Sequence, residues 1–197
     1  KKLTDLTKKI ISKKPNLVGF SCYMWNFNYF LKIAEVLKKK IPSTKILIGG
    51  PEIATEYVQD SNFDKYTVDY CVSGEGELTF LELLQHLDSG RPDITSIDGL
   101  SYRTNLNRPF TVNSKRKPFK SLSEIPSPFL KGIVSEKVLA RNDVEANLET
   151  QRGCNLRCSY CIYHKDMDRV SYSEIKKIIN EVRYVTKRGV KKIRFVD

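Results

Sequence analysis

Three short apolar runs, each followed by a segment of helical character, constrain the fold of this chain more than any other feature. Leu17 to Cys22, Lys45 to Gly49 and Val68 to Ser73 have the length and the valine and isoleucine content of buried strands. After the first, Phe30, Ile33, Ala34 and Leu37 recur at helical spacing and stop near Pro42. A shorter helix is predicted from Glu52, and a leucine-rich one from Glu77 to Leu87. A lysine-rich helix over residues 3 to 14 precedes them all, and Asp98 to Arg103 with Pro109 to Asn113 predict a hairpin around Asn105-Leu106-Asn107. Repeated β-α-β units imply an α/β, doubly wound parallel sheet.

Such sheets bind ligands beyond the carboxyl ends of their strands. The three strands end in small, polar or glycine-rich segments: Ser21-Cys22-Tyr23-Met24-Trp25-Asn26, Gly49-Gly50-Pro51-Glu52 and Ser73-Gly74-Glu75-Gly76-Glu77. Glycine lets backbone approach a ligand, and helix starts offer N–H groups. Each segment alone is equally compatible with a plain turn. Tyr23, Trp25, Phe27, Tyr29 and Phe30 crowd the first of these ends and are expected to pack mainly on their own core. Cys22 and Cys71, set within apolar strands, read as small buried residues, and His86 as solvent-facing.

A different chemistry sits near the other end of the chain. Thr150-Gln151-Arg152-Gly153-Cys154-Asn155-Leu156-Arg157-Cys158-Ser159-Tyr160-Cys161 places three cysteines on one short loop with CxxxCxxC spacing. Three thiolates suit three irons of a 4Fe-4S cube and leave the fourth iron open. A zinc site would need a fourth ligand, and His164 would pack all four into one short stretch without the second half of an ordinary zinc module. A disulfide would strand one thiol, so the cysteines read as reduced and cytoplasmic.

Residues 145 to 150 form a candidate strand delivering this loop. Ser171 and Glu174 suggest a capping box for a helix marked by Ile175, Ile178, Ile179, Val182 and Val185 and ended at Gly189. Ile193 to Val196 is a further strand, so the segment is the first βα unit of a partial TIM-type barrel. Prolines at 118, 126 and 128 predict an extended connection. The expected organisation is an α/β domain over 1–114, a linker over 115–140 and a truncated barrel segment over 141–197.

The string Arg152-Gly153-Cys154-Asn155-Leu156-Arg157-Cys158-Ser159-Tyr160-Cys161 resembles the signature of radical S-adenosylmethionine (SAM) enzymes, which carry an aromatic residue before the last cysteine. The resemblance implies a 4Fe-4S cluster on Cys154, Cys158 and Cys161, SAM on the open iron with its adenine facing the backbone near Tyr160, and cleavage of SAM to a 5'-deoxyadenosyl radical. With the glycine-rich strand ends ahead of it, the whole chain resembles the radical SAM enzymes that carry a cobalamin (B12)-binding domain. That family's first domain is a Rossmann-like or flavodoxin-like sheet. By position the resemblance implies cobalamin contacts at Ser21, Gly49, Gly50, Ser73, Gly74 and Gly76. It also implies that the sheet's first strand precedes this chain and most of the barrel follows it. The pattern Asp-x-His-x-x-Gly, whose histidine ligates cobalt in other cobalamin proteins, is absent.

The function this implies is methylation or rearrangement at an unactivated carbon of a small molecule or biosynthetic intermediate, with a reductant such as flavodoxin or ferredoxin. A tRNA methylthiotransferase-like enzyme is the alternative, although it would want three more cysteines upstream and only Cys22 and Cys71 are present. A non-catalytic iron-sulfur interaction domain is the other. The net charge of +11 would attract phosphates. Lysines on outward faces and at helix ends explain that charge as well, no nucleic-acid recognition motif is visible, and no apolar run is long enough to span a membrane.

Overall fold

The computed structural model describes residues 3–156, 158–161 and 169–197, and the chain divides into two compact units, Lys1–Lys117 and Pro118–Asp197. The first unit is built on a five-stranded sheet in sequential order. Strands β1 (Leu17–Ser21), β2 (Lys45–Gly49) and β3 (Tyr70–Val72) are parallel; β4 (Leu100–Tyr102) and β5 (Thr111–Val112) extend the sheet antiparallel as the expected hairpin. The mixed α/β sheet is thus parallel where the βα alternation runs and antiparallel where a short loop replaces the crossover helix.

The period-two alternation of the strands sorts their side chains onto two faces. Ile46, Ile48 and Cys71 meet Leu31, Ile33, Ala34 and Leu37 of α2 (Phe27–Lys40), with Leu6, Ile10 and Ile11 of α1 (Leu3–Lys13) packed alongside. Leu47, Tyr70 and Val72 face the other way and meet Leu83 of α4 (Gly76–Ser89). Helices therefore cover both faces. Full burial of each of these aliphatic side chains contributes about 1.5–3 kcal/mol. The short helix expected from Glu52 is α3 (Thr55–Val58), which seals Val58 against the same core as α2.

Charge closes the amino edge of this sheet. Asp69 lies one residue before β3 and accepts the Ile46 amide at 2.8 Å, while Lys38 approaches it at 2.6 Å with only 10% of its side chain exposed. Arg103 is itself buried, and its guanidinium donates to the carbonyls of Val68, Asp64, Leu106 and Tyr66 while lying over the Phe110 ring. At the opposite edge Arg116 pairs with Glu82 of α4 and donates to Thr79 Oγ1 and to Asp98 O.

In the second unit β6 (Glu145–Leu148) pairs in parallel with β9 (Lys192–Phe195), and α6 (Ile175–Lys187) connects them. This is the strand, helix, strand unit expected from the sequence, and among the described residues its strands form only the β6/β9 pair and a separate two-stranded ribbon. Two corrections concern its surroundings. Ser171 does not cap α6: it pairs with Arg152 in the ribbon of β7 (Gln151–Arg152) and β8 (Ser171–Tyr172), and its hydroxyl donates to Phe119 O. Glu174 is the residue at the helix start, and its amide donates to Ser123 Oγ. A capping box does form, at Ser121 and Glu124 of a 3₁₀ turn. The proline-marked segment is also not simply extended, since it buries Leu122 and, on α5 (Glu136–Leu139), Leu139.

Candidate functional site

In the first unit the carboxyl ends of β1, β2 and β3 lie side by side, in the register Ser21↔Gly49 and Gly49↔Val72. The turn after β1 is held by Asn26, whose side chain accepts the Tyr23 amide at 2.7 Å and donates to Ser21 O at 3.2 Å. The turn after β2 locks onto it: Cys22 N donates to Gly49 O and Glu52 N to Cys22 O. Gly50 makes this possible. It has φ +102°, and a Cβ there would stand 2.8 Å from Cys22 O.

The glycines of this edge divide by what they face. The missing Cβ atoms of Gly49 and Gly76 point at Val72, and that of Gly50 at Cys22 and Ser21, so these glycines let the strand ends pack on one another. Gly74 is different, with nothing within 4 Å of its missing Cβ. Beside it Ser73 is 6% exposed, and its hydroxyl is buried without a hydrogen-bond partner. Helix α4 then begins at Gly76, with Glu75 as a cap residue whose side chain makes no capping bond. An orphaned hydroxyl, an open glycine and an uncapped helix start are what a phosphate-bearing organic cofactor needs.

The aromatic cluster splits. Phe27 is buried and Phe30 stacks on Phe20 at 4.7 Å, as a core role predicts. Met24 and Trp25 are instead 78% and 76% exposed, and Trp25 stacks on Tyr23 at 4.7 Å. An exposed apolar knuckle therefore stands at the carboxyl edge of β1. Cys22 and Cys71 are fully buried. Burial, with Glu52 adding to it, pushes the Cys22 thiol up to about 12, and burial raises Cys71 as well. His86 is half-buried rather than solvent-facing, its Nδ1 lying 2.9 Å from Pro92 O.

In the second unit, β6 leads through Glu149 and Thr150 into β7, and the β7/β8 ribbon forms the base of the cysteine loop. Gly153 opens the loop with φ +100°, and a Cβ there would lie 2.6 Å from Arg169 O on the returning leg. Cys154 is exposed, Cys158 and Cys161 are half-buried, and all three are free thiols. The Leu156 amide donates to Cys154 Sγ at 3.4 Å, and Cys161 N donates to Cys158 O. The soft donor set fits an iron-sulfur cluster. Among the described residues no group of three or more His, Cys, Asp or Glu is gathered closely enough to hold a metal ion. Tyr160 is 91% exposed; Arg157 and His164 lie outside the described residues.

One feature of this stem has no sequence signature. The Asp197 carboxylate, at the end of β9, accepts the Thr150 amide and hydroxyl, both at 2.6 Å, and the Gln151 amide at 3.0 Å. Burial raises its pKa, but these bonds outweigh that and hold it below the usual carboxylate value.

Residues 2–84 match the family described as the B12 binding domain. The chain is 30% identical over 190 residues to the cobalamin-dependent radical SAM methyltransferase TokK of Streptomyces tokunonensis, an alignment covering 93% of this chain and 27% of that protein. It is 29% identical over 192 residues to the 2-(S-pantetheinyl)-carbapenam-3-carboxylate methyltransferase of Streptantibioticus cattleyicolor, covering 93% and 27%. Its fold is that of a solved apo structure of the cobalamin-dependent S-adenosylmethionine radical enzyme OxsB, with a TM-score of 0.71 at 19% identity over 100% of this chain and 27% of that one. The chain thus spans about a quarter of the length of these relatives.

Proposed function

We propose that this chain is part of a B12-binding-domain radical SAM methyltransferase, in which the first unit holds cobalamin and the second holds a 4Fe-4S cluster and SAM; the B12-binding match over residues 2–84 and the likeness to TokK support the reading. When bound, these groups supply the one-electron cleavage of SAM and a cobalt able to carry a methyl group. The chain's own residues do the holding. Ser21, Gly49, Gly50 and Gly76 shape the carboxyl edge, Ser73 offers a donor there, and Gly74 leaves room for the ligand. Cys154, Cys158 and Cys161 supply the thiolates, and the loop around Tyr160 is exposed for an adenine.

The observation that carries this reading is the unpartnered Ser73 hydroxyl beside an uncapped helix start, in a domain of the B12-binding family. A methylthiotransferase role is less well supported, because the only other cysteines are sealed in the core of the first unit with raised thiol pKa values. The substrate class is a small organic intermediate, and the reductant is a small flavin or iron-sulfur protein of a reducing cytoplasm. Among the described residues no helix is long and apolar enough to cross a membrane.

The test uses the complete gene product, reconstituted anaerobically with iron and sulfide. It should hold about one cluster and convert SAM to 5'-deoxyadenosine, and Cys158→Ala should lose both. Mixed with hydroxocobalamin and passed through gel filtration, it should keep the coloured corrin. A colourless protein peak rejects the cobalamin half of the proposal; SAM cleavage surviving in Cys158→Ala rejects the other half.

A further inference from the structure

Leu148 pairs with Phe195, and Val196 N donates the last backbone bond to Leu148 O. Past Leu148 the chain runs through Thr150 into β7, where Gln151 pairs with Tyr172 of β8, and on toward Cys154. Asp197 clamps this turn from strand to ribbon: one carboxylate oxygen takes the Thr150 and Gln151 amides and the other takes the Thr150 hydroxyl. The remaining polar group of Thr150, its carbonyl, accepts from Ser173 N on the returning leg. Thr150 is therefore a node where the second barrel strand and both legs of the cysteine loop meet, four residues before the first thiol. Nearby, Glu149 grips Arg152 through two hydrogen bonds of 2.9 and 2.7 Å.

We propose that Asp197 is a positioning residue that registers the stem of the cysteine loop on the second barrel strand, setting where the thiols stand above the β6/β9 edge. This rests on the reading of Cys154, Cys158 and Cys161 as the cluster ligands, but the clamp itself exists without any cluster. Three charge-assisted bonds to one carboxylate make a rigid anchor, because each is stronger than its neutral counterpart and together they fix both position and rotation. A loop gathering three thiols onto one cube from an anchored base loses less freedom than one whose base also moves.

Asp197→Ala removes all three bonds, Thr150→Val removes only the hydroxyl arm, and Asp197→Asn keeps an acceptor for the amides and a donor for Thr150. Hydrogen exchange on the iron-free complete protein reads the clamp directly. The Thr150 and Gln151 amides should exchange about tenfold faster or more in Asp197→Ala and stay close to wild type in Asp197→Asn. After reconstitution, and normalised to iron content, SAM cleavage should fall about tenfold in Asp197→Ala, less in Thr150→Val, and recover most of its rate in Asp197→Asn. Unchanged exchange in Asp197→Ala overturns the clamp. Faster exchange with full cleavage per cluster shows a merely structural contact and overturns the positioning role. If wild type shows protected amides but takes up no cluster, the functional reading fails while the clamp stands. Should Asp197→Ala not fold, Thr150→Val against Thr150→Ser applies the same comparison to the hydroxyl arm.

Discussion

Ser73 shows how a single atom can separate holding a ligand from holding the fold. Its hydroxyl is buried with no partner, so the ligand-free protein carries the desolvation cost of that group with nothing to offset it. Ser73→Ala should therefore stabilise the free protein by about 1 kcal/mol in urea unfolding, and weaken cobalamin retention about tenfold, if the hydroxyl bonds the cofactor. A variant that lost stability and kept its corrin would remove Ser73 from the site. Neighbouring Gly74 and Gly50 look alike in sequence but not in place: one borders open space, the other fills a gap between two turns. No pattern in a single sequence separates those two uses of glycine, because both appear as a small residue after a strand.

At the level of elements, the strands and the larger helices were legible because burial imposes its period directly on the residues. The βα alternation, the hairpin and the strand-helix-strand unit of the second half could all be read this way. What could not be read is where side chains compete for the same backbone groups. Ser171 and Glu174 have capping-box spacing, yet Ser171 is taken by strand pairing and the box forms at Ser121 and Glu124 instead. Asp197 escapes for a related reason: its partner Thr150 lies 47 residues away, and nothing local marks the pair. Arg103 is a third such case, a cation at the end of a strand whose buried guanidinium gathers carbonyls from two connections. Arg103→Met keeps much of the volume but strands those carbonyls, so it should destabilise the first unit by about 3 kcal/mol or more. Circular dichroism against urea would measure it. A loss under about 0.5 kcal/mol would mean that water replaces the guanidinium readily.

Taken whole, the molecule carries two sets of cysteines under opposite physical regimes. Cys22 and Cys71 sit in a dry core where the thiolate is disfavoured, whereas Cys154, Cys158 and Cys161 are reachable from solvent. Electrophiles attack the thiolate, and its population at neutral pH falls tenfold for each unit by which the thiol's pKa rises. Brief treatment of the iron-free protein with iodoacetamide near neutral pH should add three carbamidomethyl groups within residues 1–197, read by peptide mapping, and five once denaturant is present. Adducts on Cys22 and Cys71 of the folded protein would contradict the sealed core. The same asymmetry gives a direct gauge of occupancy: an intact cluster should shield the outer trio, so the count of adducts on native protein would fall from three toward zero as iron fills the loop, while the inner pair stays silent throughout.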